Sequence, residues 1–169
     1  MTKASMEFNL PDSGITERLG GALARSFARD AGAVVYLRGE LGSGKTTCAR
    51  SLLQTLGVTS RVRSPTYTLV DTYSIGQISC AHVDLYRLRS AAEVEELGLR
   101  DLTGPGFLLL IEWPEKGGAA VPPADLVLLL RYAGESRIAS VQAASELGEQ
   151  WLAKLALDSS LSCYVSNIT

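Results

Sequence analysis

Hydrophobic and polar positions alternate between two rhythms along this chain. Residues 33–37 (Ala-Val-Val-Tyr-Leu) run without a polar break and read as a buried strand. Residues 107–111 (Phe-Leu-Leu-Leu-Ile) do the same, and the run predicts a central strand covered on both faces. Residues 67–73 and 78–85 are rich in β-branched and aromatic positions, and Ile75-Gly76-Gln77 between them turns a hairpin. A second hairpin is predicted from residues 126–132 and 137–143, turned at Gly134-Glu135, and a short strand from residues 7–10. The other rhythm is helical. Leu19, Ala22, Leu23 and Phe27 share one face of a helix over residues 16–28. Further helices are expected over 47–56, stopped by Gly57, over 91–97 and over 146–157. Pro11-Asp12-Ser13-Gly14 reads as a turn, and residues 61–66 as a loop because Pro65 bars a regular helix.

Strands and helices interleave in the first half and hairpins follow. The expectation is an α/β protein of three layers, with a mixed, mainly parallel sheet and antiparallel additions. At 169 residues it should be one domain over residues 1–157, with a polar tail at 158–169 that is expected to be poorly ordered.

Composition narrows the chemistry. A hydrophobic fraction of 46% and a charged fraction of 20% belong to a globular protein. The net charge of −2 supplies no broad basic field, so any link to RNA is expected to run through a partner. Cys48, Cys80 and Cys163 fit neither a disulfide nor a zinc pattern, and no run has the length of a membrane helix. A cytoplasmic protein is the expectation.

Gly39-Glu40-Leu41-Gly42-Ser43-Gly44-Lys45-Thr46 stands between the predicted strand and helix. It matches the phosphate-binding pattern G-x-x-x-x-G-K-[ST] in full, in the strand–loop–helix setting that pattern needs. Backbone N–H groups of such a loop and the helix N-terminus converge on phosphate oxygens. Glu40, Leu41, Gly42, Ser43, Gly44, Lys45, Thr46 and Thr47 are therefore the expected nucleotide-binding residues. Lys45 brings a flexible point charge to the β- and γ-phosphates, and Thr46 a hydroxyl to Mg2+. The fold implied is that of P-loop NTPases.

Magnesium chemistry also asks for a carboxylate at a neighbouring strand end. Asp84 and Glu112 both qualify, each closing an apolar strand. Thr66 is a candidate switch residue that senses the γ-phosphate, or else a turn-capping threonine. Trp113 packs either over the nucleotide or in the core. His82, the one histidine, shares a strand face with Asp84 and reads as a packed strand residue, with a base as the alternative. Arg61, Arg63, Arg87 and Arg89 are candidates to steady transferred phosphate, with exposed surface arginines the plainer reading.

The guanine-reading sequence Asn-Lys-x-Asp is absent, since only Asn9 and Asn167 occur, and so is the Leu-Ser-Gly-Gly signature of transport ATPases. Five segments then occur in order: the glycine loop through Thr47, Val62-Arg63-Ser64-Pro65-Thr66-Tyr67-Thr68-Leu69-Val70, His82-Val83-Asp84-Leu85-Tyr86-Arg87-Leu88, Glu95-Glu96-Leu97-Gly98-Leu99 and Ile111-Glu112-Trp113-Pro114-Glu115. From about residue 8 to about residue 144 the chain resembles the bacterial TsaE (YjeE) family. These small P-loop ATPases take part in making the threonylcarbamoyladenosine modification of tRNA. The resemblance implies that Lys45 and Thr46 bind phosphate and Mg2+, that Asp84 is the Walker B-like acid, and that Thr66 is a switch threonine. It implies that Glu112 is an acid needed for hydrolysis and Trp113 an active-site aromatic. It also implies docking onto a TsaB–TsaD heterodimer, contact with tRNA only through that partner, and ATP turned over to ADP slowly by the isolated subunit. A small-molecule kinase and a nucleotide-binding regulatory module without turnover are the alternative functions.

Overall fold

The computed structural model describes residues 3–169. Strand β1 (Ser5–Leu10) leads into α1 (Ser13–Ser26), which starts earlier than the apolar spacing predicts. The reason is Asp12, whose carboxylate accepts the Ile15 N–H at 3.0 Å and caps the helix. Strand β2 (Ala33–Gly39) runs into the glycine loop, and α2 (Lys45–Leu56) leaves it, ending at Gly57 with φ 126°. The first hairpin is β3 (Val70–Ile75) with β4 (Ile78–Asp84). Its first strand begins three residues later than expected. Leu69 takes a left-handed φ of 65° and donates its N–H to the Pro65 carbonyl at 2.7 Å, so residues 67–69 turn instead of extending. A short helix α3 (Ala91–Glu95) precedes β5 (Phe107–Glu112). The second hairpin, β6 (Leu126–Ala133) with β7 (Ser136–Ala143), is followed by α4 (Glu146–Leu155).

All strands join one sheet in the order β3-β4-β5-β2-β6-β7-β1, continued at the edge by β8 (Val165–Ile168). The centre, β4-β5-β2-β6, is parallel. The flanks are antiparallel, and among the described residues the four antiparallel pairings outnumber the three parallel ones. "Mainly parallel" therefore holds for the centre alone. The terminal hairpins and β1 need no crossover helix, so they extend the sheet antiparallel.

Two apolar layers cover the sheet. On one face α1, α2 and α4 bury Leu19, Leu23, Leu52, Leu53 and Trp151 against β-strand residues such as Val35, Leu108 and Leu110. On the other, α3 and neighbouring turns cover Val83, Leu109 and Ile111. Cys48 and Cys80 lie in the first layer, as small core residues.

The tail is not the loose segment its polar composition predicts. Asp158 caps a 3-10 turn over Ser159–Tyr164, and Arg25 bonds Asp158 at 2.9 Å. Leu161 is buried, and β8 pairs with β1. Leu161, with Tyr164 and Val165 packed against the same core, and an open strand edge order a segment whose average hydropathy gives no sign of it.

Candidate functional site

Sheet register fixes the site. Asp84 and Glu112 are the last residues of adjacent parallel strands and are direct register partners, and Glu112 is also paired with Leu37 of β2. Two residues beyond Leu37 the chain enters the glycine loop. Both acids thus stand at the C-terminal edge of the parallel centre beside that loop, where α/β sheets hold ligands.

The loop needs its glycines. Gly39 has φ 139°, and a Cβ there would sit 2.6 Å from Ser43 Oγ. Gly44 has φ 109° at the start of α2, a conformation that L side chains rarely adopt. The loop folds around Lys45, which is 4% exposed and donates to the carbonyls of Gly39 at 2.7 Å and Glu40 at 2.8 Å. Burial lowers the Lys45 pKa from the usual lysine value, opposed by the nearby Glu112, Asp84 and Glu115 carboxylates. The Ser43 hydroxyl is buried without a hydrogen-bond partner.

Thr46, in the first turn of α2, donates its hydroxyl to Glu112, at 2.9 Å from Oε1 and 3.2 Å from Oε2. Asp84 has other partners. Its Oδ2 accepts from Ser64 Oγ at 2.6 Å and lies 3.5 Å from Thr66 Oγ1, while its Oδ1 accepts the Tyr86 N–H at 2.9 Å. Ser64 and Thr66 also bond each other at 2.9 Å. Glu112 is therefore the carboxylate that bonds the loop threonine, and Asp84, the Walker B-like acid by resemblance, stands one strand away. Asp84 instead ties down the loop of residues 61–66.

Trp113 follows Glu112 in a left-handed conformation, φ 58°. That is a strained backbone for an aromatic residue, held by its N–H to Leu37 O at 3.3 Å. Its ring lies 4.3 Å from the Lys45 ammonium and 5.0 Å from the Tyr86 ring. Trp113 therefore lines the cleft while also packing against the second apolar layer. An open cleft of about 340 Å³ is walled by Lys45, Thr46, Thr66, Asp84, Glu112 and Trp113, among others. Of the four arginine candidates, only Arg87 lines it, with its guanidinium 4.3 Å from the Tyr67 ring. Arg61, Arg63 and Arg89 are exposed elsewhere.

Three features escaped sequence reasoning. Ser64 makes the short bond to Asp84, and its position before Pro65 was the only sign. His82 Nε2 lies 2.8 Å from Glu112 Oε1, a contact that needs both strands in register. A second cleft, of about 160 Å³, opens on the far side of Gly42–Gly44, lined by Asp12, Thr16, Ser43, Thr47, Glu135 and Arg137. Those side chains come together only when α1 and the β6–β7 turn flank the glycine loop.

The family model described as "Threonylcarbamoyl adenosine biosynthesis protein TsaE" matches residues 10–140. The chain belongs to the TsaE family. The tRNA threonylcarbamoyladenosine biosynthesis protein TsaE of Haemophilus influenzae is 43% identical over 116 residues, which span 69% of this chain and 73% of the relative. The protein of the same name from Synechocystis is 40% identical over 120 residues, 69% of this chain and 74% of the relative. The crystal structure of Bacillus subtilis YdiB superposes with a TM-score of 0.75 at 25% identity, covering 92% of this chain and 97% of that one. The fold is thus shared with that structure over nearly the whole of both chains. Among the described residues no helix is long and apolar enough to cross a membrane.

Proposed function

We propose that this TsaE-family protein is a magnesium-dependent subunit that binds and hydrolyses ATP in making threonylcarbamoyladenosine on tRNA, acting on a TsaB–TsaD heterodimer in the cytoplasm. The pathway comes from the names of its relatives. The chemistry rests on one observation: Lys45, Thr46 and Glu112 are gathered at the mouth of the glycine loop.

The triphosphate lies along the loop and the N-terminus of α2, whose free N–H groups donate to its oxygens. Lys45 exchanges the carbonyls of Gly39 and Glu40 for phosphate oxygens, and the Trp113 ring stays beside its ammonium. The unpartnered hydroxyl of Ser43 gives the cradle one more donor. The donor set of Thr46 hydroxyl and Glu112 carboxylate, with Asp84 one strand away, consists of hard oxygens and fits Mg2+. When bound, that cation neutralises charge building on the β- and γ-phosphates. Asp84 keeps Ser64 and Thr66 at the γ-phosphate end, where Thr66 serves as the switch. The nucleoside takes the second cleft, between Asp12 and Arg137.

The deciding experiment measures phosphate release from ATP by the protein alone and with TsaB–TsaD. Magnesium-dependent release, increased by the partners, is expected. Label from the γ-phosphate on a small molecule would point to a kinase instead. Binding with no turnover under any condition would leave a regulatory module.

A further inference from the structure

His82 is the chain's single histidine and is completely buried, in β4 two residues before Asp84. Its register partner on β5 is Leu110, and Asp84 pairs with Glu112. His82 and Glu112 are therefore diagonal neighbours on one face of the parallel centre, the face against α2 where Cys80, Leu108 and Leu110 are packed. In that apolar layer a histidine has few partners. Its Nε2 is 2.8 Å from Glu112 Oε1, and its Nδ1 has no hydrogen-bond partner.

The tautomer follows. A carboxylate oxygen only accepts, so Nε2 carries the proton and donates. A bare Nδ1 then leaves a lone pair in the apolar layer, whereas a proton there would be a buried donor without an acceptor. Oε1 of Glu112 accepts from both His82 and Thr46 at 2.8 and 2.9 Å, while Oε2 has one longer bond, 3.2 Å, from Thr46. The carboxylate is held from behind at Oε1, and Oε2 is the oxygen left with spare accepting capacity at the cleft.

We propose that His82 is a positioning residue for Glu112: its Nε2–H clamps Oε1, so that the carboxylate presents Oε2 to the cation beside Thr46. This inference rests on the metal reading of the site given above. Outer partners of this kind fix ligand orientation, and their loss commonly weakens metal affinity by about 10- to 100-fold. The role differs from packing, because it depends on an N–H at one place in space and not on volume.

Two measurements test it. With a single histidine the imidazole signals in a long-range proton–nitrogen NMR spectrum need no assignment. The expected spectrum has a proton on Nε2 and none on Nδ1, and Glu112→Gln shifts the Nε2 resonance. A proton on Nδ1 alone, or ring signals indifferent to Glu112→Gln, would overturn the clamp. The second measurement follows ADP binding by His82→Leu, His82→Gln and His82→Asn as magnesium is titrated. Gln places its amide N–H near the former Nε2, whereas Asn reaches only to the former Nδ1. Asn and Leu should raise the magnesium concentration for half-effect roughly tenfold, with Gln recovering most of the loss and all three binding ADP normally in EDTA. If Leu does not fold, the Gln–Asn comparison decides alone. Gln as poor as Asn, or all variants responding to magnesium like the wild type, overturns the positioning role while leaving the metal site intact. A wild-type protein whose ADP binding ignores magnesium overturns instead the reading of the site beneath it.

Discussion

Thr46 and Glu112 join α2 to β5 through a hydroxyl-to-carboxylate bond of 2.9 Å. Each end is held by regular structure, one by the first helical turn and the other by the last rung of a parallel ladder. Because the two act as a unit, their removals should not add. Thr46→Ala and Glu112→Gln are each expected to cut magnesium-dependent turnover by roughly 100-fold, and the double variant to lose little more. ADP binding in EDTA should stay at the wild-type level. Steady-state phosphate release and a binding titration on all four proteins check this, and full additivity would separate the two residues.

Lys45 is bonded to two loop carbonyls in a buried position. Lys45→Ala should weaken nucleotide binding about 10- to 100-fold with or without magnesium, as expected for loss of a charge-assisted hydrogen bond of ~1.5–3 kcal/mol. Lys45→Arg should not restore it, since a planar fork cannot replace a compact ammonium in the same enclosed space. Calorimetry in EDTA gives the answer directly.

Asp84 holds the loop of residues 61–66 through Ser64 at 2.6 Å. Ser64→Ala should leave the fold intact and speed amide exchange across residues 61–69, while β4 and β5 stay protected. Asp84→Ala should do the same and also blunt the magnesium response. Unchanged exchange in both variants would mean that the loop is held by Pro65 and Val62 packing and by the Arg50 bond to the Val62 carbonyl.

Much of this was legible in the sequence because it is local. The glycine loop, its strand and helix, and both hairpins depend on neighbours a few residues apart. Asp84 and Glu112 were visible as acids closing apolar strands. Their division of labour was not visible, because which carboxylate meets Thr46 depends on the strand order β4-β5-β2. His82 was legible as a packed residue and illegible as a partner of Glu112, since thirty positions of chain separate the two. Trp113 was ambiguous between core and site, and the structure gives it both, lining the cleft beside Lys45 and packing against the second apolar layer. The tail failed for a different reason: averaged polarity hid the buried Leu161 and the half-buried Tyr164 and Val165 that pack beside it.

Burial raises the Cys80 thiol from the usual 9.0 to about 11, with Arg29 pulling weakly the other way. The folded state therefore holds this proton more tightly than the unfolded chain. The resulting stability is complete below pH 9, falls as pH rises and is lost by about pH 11. Urea midpoints of wild type and Cys80→Ala should converge across that window. Native-state alkylation should meanwhile reach exposed Cys163 first, with buried Cys48 and Cys80 reacting only on opening.

Leu161→Ala should cost about 2–4 kcal/mol, read from thermal or urea unfolding. More follows from the strand that this leucine secures. With β8 removed, β1 would offer a bare row of amides and carbonyls along one border of the sheet, and a second molecule could add its own strand there. The last residues thus cap a six-residue edge with a four-residue one, at a border three strands away from β2, and a truncated protein should keep its nucleotide chemistry while precipitating more readily.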